Sequence, residues 1–188
     1  MNWRKHLDLE GQHAFLSPSK YSWIRYDDDK IADAYRTARA AERGTKLHAI
    51  ANELISQGIK LPRTKKTLDH FVNDALGFGM RSEQPLYFSE NAFGTADAIS
   101  FKNGRLRIHD LKTGLTKVSM DQLLIYAALF CLEYGIKPSE IEMILQIYQN
   151  DQVIFHSPEA DEIVPIMDRI VTADRIIETI KEEEFDNE

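Results

Sequence analysis

The chain has 188 residues, 43% hydrophobic and 28% charged, which suits a globular protein with one sizeable core. No apolar run reaches the roughly 18–20 residues that cross a bilayer, and no apolar signal core follows Met1, so we expect a cytoplasmic protein without membrane contacts. The net charge of −7 argues against a nucleic-acid partner, but residues 1–66 carry +5 and residues 151–188 carry −9, so most of the acidity is C-terminal.

The N-terminal third favours helices. Ser17-Pro18-Ser19 is typical of a helix start, with serine as the cap and an early proline. The segments rich in helix formers are, in chain order, Ala32–Ala41, Lys46–Gln57 and Thr67–Leu76. Gly44-Thr45 is expected to separate the first two segments, Gly58 to end the second, and Gly77 and Gly79 to close the third.

From Pro85 onwards the pattern changes to strands. The expected strands are Leu86–Phe88, Phe93–Phe101, Arg105–Leu111, Ile141–Tyr148 and Val153–His156. Asn103-Gly104 predicts a two-residue hairpin turn between the second and third strands, and Asn150-Asp151 predicts a turn between the fourth and fifth. Two further helices are expected at Ser119–Tyr134, with Ser119 as a cap, and at Pro158–Ile180, with an interruption near Pro165.

This order predicts an α/β protein of the mixed α+β kind, in which a central mixed β-sheet with an antiparallel meander is flanked by helices. We expect one domain, with a helical part over residues 1–80, the sheet core over 81–157, and a closing helix with a solvated acidic tail over 158–188. The single cysteine, Cys131, cannot form an internal disulfide and lies among apolar residues, so a buried, inert thiol is expected.

Asp110 and Lys112 stand two residues apart on the third strand, so their side chains share one face while Leu111 points into the core. By itself this pattern is common and is compatible with a surface ion pair. Across the Asn103-Gly104 hairpin, however, the register places Asp97 opposite Asp110. Two carboxylates in that position destabilise a sheet unless a cation lies between them, and oxygen ligands suit magnesium or manganese.

Three more side chains extend this pattern. Gln122 and Tyr126 are spaced i, i+4 and so share one helix face. Taken alone, Gln122 is better explained as an exposed polar residue, and Tyr126 as a core aromatic whose hydroxyl reaches solvent. His48 lies beside an apolar helix face, where a structural histidine is common, although neutral imidazole is also a frequent metal ligand.

The motifs taken together resemble the PD-(D/E)xK nuclease superfamily, within it the RecB-like branch that includes phage exonucleases. The motifs are Gly44-Thr45-x-x-His48, Gly94-Thr95-Ala96-Asp97, Asp110-Leu111-Lys112-Thr113-Gly114 and Gln122-x-x-x-Tyr126. They occur in the family's order over residues 44–126, and Ser17-Pro18-Ser19-x-x-x-Trp23 is similar to the opening of that branch. The resemblance implies a restriction-endonuclease-like core.

The resemblance also implies roles for these residues. His48, Asp97, Asp110 and the Leu111 backbone carbonyl would hold one or two Mg²⁺ or Mn²⁺ ions. Lys112 would position the attacking water and stabilise charge on the phosphate, and Gln122 and Tyr126 would support Lys112 and touch the DNA backbone. Glu83, just before the first predicted strand, would support the ligands from behind.

The chain departs from many relatives in lacking four cysteines for an iron–sulfur cluster, so we expect no such cluster. The expected activity is hydrolysis of DNA phosphodiester bonds, by an exonuclease rather than an endonuclease, acting on DNA ends or single strands in replication, recombination or repair. Partner proteins of those processes would then be expected.

Basic residues supply the expected contacts to DNA phosphates. Those at helical spacing before His48 are Arg36, Arg39, Arg43 and Lys46, although solubilising surface charge explains them equally well. The segment Lys20–Tyr26 interleaves aromatic and cationic residues as a single-strand stacking platform does, but an amphipathic helix that packs Trp23 inward is the preferred interpretation.

Two rival hypotheses stay open. The first is a catalytically silent nucleic-acid-binding or assembly module on the same fold. The second is a metal-free interaction protein in which Asp110 and Lys112 form only an ion pair.

Overall fold

The computed structural model describes residues 14–114 and 117–185. The chain divides into two compact units, Met1–Arg43 and Gly44–Glu188, and the division falls within the first long helix. Residues 186–188 of the predicted acidic tail lie outside the described residues. Among the described residues, no helix combines the length and the apolar content that a bilayer crossing needs.

The described part of the first unit holds a short 3-10 helix, Pro18–Arg25, and the beginning of helix α1, Asp28–Ser56. The 3-10 helix starts after Ser17 as predicted, but no side-chain hydrogen bond caps it. Asp27 caps α1 instead, because its carboxylate accepts a hydrogen bond of 2.8 Å from the Lys30 backbone N–H.

Helix α1 runs without a break through Gly44-Thr45, so the predicted interruption was wrong. A glycine inside a helix costs about 1 kcal/mol relative to alanine. Gly44 is buried, and a Cβ at this position would stand 2.9 Å from the Thr113 hydroxyl. Packing against Thr113 therefore explains the glycine, although a glycine in a helical sequence pattern usually indicates a break. Gly58, with φ of +69°, follows the end of α1 as predicted.

The sheet has five strands whose spatial order follows the chain, and the predicted mixed architecture is confirmed. The elements of the second unit after α1 are α2 (Thr67–Gly77), β1 (Arg81–Ser89), β2 (Ala92–Lys102), β3 (Arg105–Leu111), α3 (Asp121–Tyr134), β4 (Glu142–Gln149), β5 (Gln152–His156) and α4 (Ala160–Phe185). Strands β1, β2 and β3 form an antiparallel meander, β3 and β4 are parallel, and β4 and β5 are antiparallel.

Local signals explain most element boundaries. Asn103 and Gly104 both have positive φ, and Lys102 pairs with Arg105 across them, as the predicted two-residue turn requires. Strand β1 begins at Arg81, five residues earlier than predicted. The prediction missed this beginning because the first residues of the strand are polar. Helix α4 continues through Pro165, so the predicted interruption is absent from the described helix.

Each face of the sheet has its own core. The core beside α3 and α4 joins strand residues such as Leu86, Ile108 and Leu145 to Leu123 of α3 and Ile163 of α4. The opposite core joins Leu111 and Tyr148 to residues of α2 and of the C-terminal part of α1, among them Ala51, Ile55, Phe71 and Val72. Cys131 is buried in α3 as predicted, and burial raises the pKa of its thiol to about 11.

Candidate active site

Three neighbouring strands present acidic residues in one row across the sheet. Strands β1 and β2 pair Ser82 with Ala98 and Gln84 with Ala96, so Glu83 stands opposite Asp97. The register of β2 and β3 agrees with the predicted hairpin, but the last pair is Ala98 with His109, one pair short of Asp97 and Asp110.

The ladder stops there because the Asp97 side chain takes over one of its hydrogen bonds. The carboxylate of Asp97 accepts the Leu111 backbone N–H at 2.8 Å. The side chains of β2 also change faces at this point, since Ala96 lies in the core beside α3 and Ala98 lies in the opposite core, although residues two apart on a regular strand share a face.

Glu83 produces the same change of face in β1. Its φ of +49° lies in the left-handed region, which is strained for a residue with a side chain. On one side of it, Ser82 donates a hydrogen bond of 2.5 Å to Asn52 of α1; on the other, Leu86 packs into the core beside α3. This backbone conformation turns the Glu83 carboxylate towards Asp97.

His48 reaches the acidic row from α1. Its Nδ1 lies 3.2 Å from an Asp97 carboxylate oxygen. The pKa of His48 is raised, first by the hydrogen bond to Asp97 and further by the negative charges of Asp97 and Asp110, against the opposing effect of burial. A weaker hydrogen bond with the Leu111 backbone acts in the same direction, so the imidazole stands beside the backbone group that the resemblance implies as a ligand.

His48, Glu83 and Asp97 form a compact set of potential metal ligands. One imidazole nitrogen and one carboxylate oxygen from each acid lie within 4.8 Å of one another. They line an open cleft of about 730 Å³ together with Gly44, Thr45, Ala49 and Asn52. Nitrogen and carboxylate oxygen donors suit magnesium and, better, manganese. Glu83 therefore stands among the potential ligands rather than behind them.

Asp110 is buried beside this set with one oxygen unsatisfied. The residue is 2% exposed and its Oδ1 lies 3.1 Å from Lys112 Nζ, while Oδ2 has no hydrogen-bond partner among the residues that the structure describes. Burial raises the pKa of Asp110 and the negative charge of Asp97 adds to the rise, while Lys112 opposes it. A buried carboxylate oxygen without a partner is costly, and a bound cation is one way to satisfy it.

Lys112, Gln122 and Tyr126 form one chain of hydrogen bonds. Lys112 Nζ donates to Gln122 Oε1 at 2.7 Å, Gln122 Nε2 donates to the Tyr126 hydroxyl at 3.3 Å, and that hydroxyl donates to the Thr95 carbonyl at 2.7 Å. The start of α3 is thereby tied to both Lys112 and β2. Gly94 allows this contact, because a Cβ there would stand 2.9 Å from the Tyr126 ring.

The basic residues proposed for DNA contacts are exposed. Arg36 pairs with Asp33 at 2.8 Å and Arg39 with Glu42 at 2.7 Å, each within α1. Arg43 and Lys46 are also exposed on α1. Their contacts with DNA stay predictions.

No protein-family model matches the chain, and no curated protein shows significant similarity to it.

Proposed function

We propose that the chain is a metal-dependent DNA nuclease of the PD-(D/E)xK type, acting as an exonuclease on DNA ends or single strands. The observation that carries the proposal is the buried Oδ2 of Asp110, which has no hydrogen-bond partner within the described part of the chain. Its residue stands next to a potential ligand set, and Lys112 holds the other carboxylate oxygen, Oδ1. Such an arrangement is costly without a cation and is useful with one.

The metal would be Mg²⁺ or Mn²⁺, held by His48, Glu83, Asp97 and Asp110, with the Leu111 carbonyl as a further ligand. When bound, the metal would lower the pKa of a coordinated water and neutralise charge on the scissile phosphate. A doubly protonated His48 must release one ring proton before it can bind a cation. Metal affinity is therefore expected to rise with pH through the raised pKa of His48.

Lys112 supplies a fixed positive charge beside the proposed metal centre. Asp110 and Gln122 each accept a hydrogen bond from the Lys112 ammonium group, which has three N–H donors. The third N–H can donate to a phosphate oxygen or a water molecule. Gln122 and Tyr126 act as positioning residues, because their hydrogen bonds fix the direction of the Lys112 side chain.

The rival in which Asp110 and Lys112 form only an ion pair fits the arrangement less well. The two groups do pair at 3.1 Å. A simple surface pair, however, does not require an aspartate that is 2% exposed or a second, partly buried carboxylate that raises its pKa. A catalytically silent binding module on the same fold stays the second hypothesis, and activity decides between them.

The deciding experiment digests end-labelled linear DNA and circular DNA with Mn²⁺, Mg²⁺ or EDTA. We expect degradation of linear DNA with either metal, and loss of at least about 100-fold in rate for Asp110→Asn and Lys112→Ala. Lys137→Ala changes a lysine on the loop before β4 that forms an ion pair with Glu140; it is the matched control and should retain activity. A purified wild-type protein that cleaves neither substrate would overturn the nuclease proposal.

Metal binding is measured separately by calorimetry with Mn²⁺. Glu83→Gln and Asp97→Asn are expected to weaken binding, whereas Lys112→Ala should leave it intact because Lys112 is not a ligand. Mn²⁺ binding that is unaffected by both acidic variants would favour the ion-pair hypothesis.

A further inference from the structure

A groove in the first unit lies along the 3-10 helix Pro18–Arg25 and the beginning of α1. Its volume is about 640 Å³, and its lining residues are Ser19, Lys20, Tyr21, Ser22, Arg25, Tyr26 and Lys30. Every charged side chain in this lining is a cation. Within the described residues, no carboxylate forms an ion pair with Lys20, Arg25 or Lys30.

Two tyrosine rings stand among these cations. Tyr21 is 65% exposed, and the Arg25 guanidinium lies 5.8 Å from its ring centroid. The Lys30 ammonium lies 4.4 Å from the centroid of the Tyr26 ring, whose hydroxyl is 3.3 Å from the Ser22 hydroxyl. Each ring is thus accompanied by a cation, and the Tyr21 ring remains largely open to solvent.

Trp23, between the two tyrosines, does not contribute to the groove. Its indole N–H donates to the Ser17 carbonyl at 3.1 Å, and the residue is half-buried. The predicted inward orientation of Trp23 is therefore compatible with an outward surface made by its neighbours. Trp23 can therefore pack inward while Tyr21 and Tyr26, in the same segment, face the groove.

The three aspartates that follow, Asp27, Asp28 and Asp29, do not line the groove. Asp27 is engaged by the Lys30 backbone N–H, and the other two stand in the first turn of α1. Carboxylates at that position are stabilised by the unpaired N–H groups and dipole of the helix N-terminus, which partly offset their charge. The lining itself therefore remains cationic.

We propose that this groove binds single-stranded nucleic acid, with phosphates against Lys20, Arg25 and Lys30 and unpaired bases against Tyr21 and Tyr26. The inference rests on the proposed function for the nature of the polymer. A duplex keeps its base faces covered, so the open ring of Tyr21 favours unpaired bases. Cations that contact phosphates do not distinguish one base from another, so binding should tolerate any sequence rich in accessible bases.

Binding is measured by fluorescence anisotropy of a labelled 20-nucleotide oligothymidine on the full chain in EDTA, where no metal-dependent cleavage can occur. Replacing both rings, Tyr21→Ala with Tyr26→Ala, should weaken binding at least about 10-fold, since stacking on one ring contributes about 1–3 kcal/mol. Tyr21→Phe with Tyr26→Phe should bind within about 3-fold of wild type because the rings remain. Tyr134→Ala, which removes a 54% exposed tyrosine from α3, is the control and should not change binding.

The electrostatic part has its own measurement. Replacing Lys20, Arg25 and Lys30 with alanine should reduce the slope of log affinity against log salt by about 2, from roughly 0.7 per phosphate contact on a single strand. Oligouridine should compete as well as oligothymidine if the rings act by stacking alone. A blunt duplex of the same length should compete less well.

The outcomes separate this proposal from the proposed function. If the double alanine variant folds normally and binds oligothymidine as wild type does, the groove proposal is overturned even if DNA is cleaved. If wild type cleaves no DNA but binds the oligonucleotide through these tyrosines, the groove proposal holds and the nuclease proposal fails. Equal displacement of the oligonucleotide by a polyglutamate peptide would show a general polyanion surface and overturn the role of stacking.

Discussion

Adding one carbon atom at Gly94 should test the chain of hydrogen bonds that joins β2 to Lys112 through Tyr126 and Gln122. Its backbone angle is ordinary, so Gly94→Ala introduces no conformational strain. The new Cβ would stand 2.9 Å from Tyr126 Cε1 and 3.6 Å from the Tyr126 hydroxyl. The ring must retreat by roughly 0.6 Å or more to regain an ordinary carbon–carbon separation. That movement stretches the hydrogen bond of 2.7 Å from Tyr126 to the Thr95 carbonyl.

The expected cost follows from opposing effects. An alanine in a strand is more stable than a glycine by about 0.5–1 kcal/mol. Overpacking against the ring costs about 1–3 kcal/mol, and weakening the hydrogen bond adds about 1 kcal/mol. We therefore expect Gly94→Ala to lower the free energy of unfolding by about 1–3.5 kcal/mol. Because Tyr126 anchors Gln122, the variant should also cleave DNA more slowly with unchanged Mn²⁺ affinity.

Urea unfolding of a double-mutant cycle provides the assay. In a Tyr126→Ala background the clash has been removed, so adding Gly94→Ala should cost nothing. Gly77→Ala, at a glycine with open space around its Cβ position, is the control and should be neutral or slightly stabilising. If Gly94→Ala lowers stability equally with and without the Tyr126 ring, the contact is not the cause and the reasoning is refuted.

Three further outcomes are expected. Burial lowers the pKa of His109 to about 3. The unfolded chain therefore takes up a proton at His109 below about pH 6.5, whereas the folded chain does not. The free energy of unfolding falls by about 1.4 kcal/mol per pH unit from there towards pH 3. His109→Gln should flatten this slope in urea titrations at several pH values. Glu83→Gly should raise the metal-free free energy of unfolding by about 1 kcal/mol by relieving the left-handed strain, yet weaken Mn²⁺ binding in calorimetry. Lys112→Arg should retain less than about a tenth of wild-type cleavage, because a planar guanidinium cannot reproduce the hydrogen bonds of Lys112 to Asp110 and Gln122.

Sequence patterns were sufficient where the determining contacts are local. The Asn103-Gly104 turn fixed the register of β2 and β3 and so placed Asp97 beside Asp110. Both turn residues carry the positive φ that the dipeptide favours. The spacing of Gln122 and Tyr126 likewise placed both side chains on one face of α3, where they form a single hydrogen-bonded chain.

Patterns failed where the cause lies far away in the chain. The glycine at position 44 of α1 is explained by the closeness of Thr113, a contact that no helix rule includes. The position of Glu83 depends on its own left-handed backbone conformation, at which the side chains of β1 change faces. Its neighbours Ser82 and Gln84 are polar and do not predict a strand. A charged residue directly before a predicted edge strand, opposite an aspartate in hairpin register, was the available clue.

The agreement of strand order with chain order has a consequence for how the protein folds. Three of the four strand pairs are closed by two-residue turns, and only β3 and β4 require a crossover, which α3 provides. Local pairing is fast, so the meander should assemble early and the docking of α3 with β4 should limit the folding rate. Glu83, Asp97 and Asp110 would then stand together before Lys112 acquires Gln122. We therefore expect the acidic row to be assembled before its lysine is fixed in position.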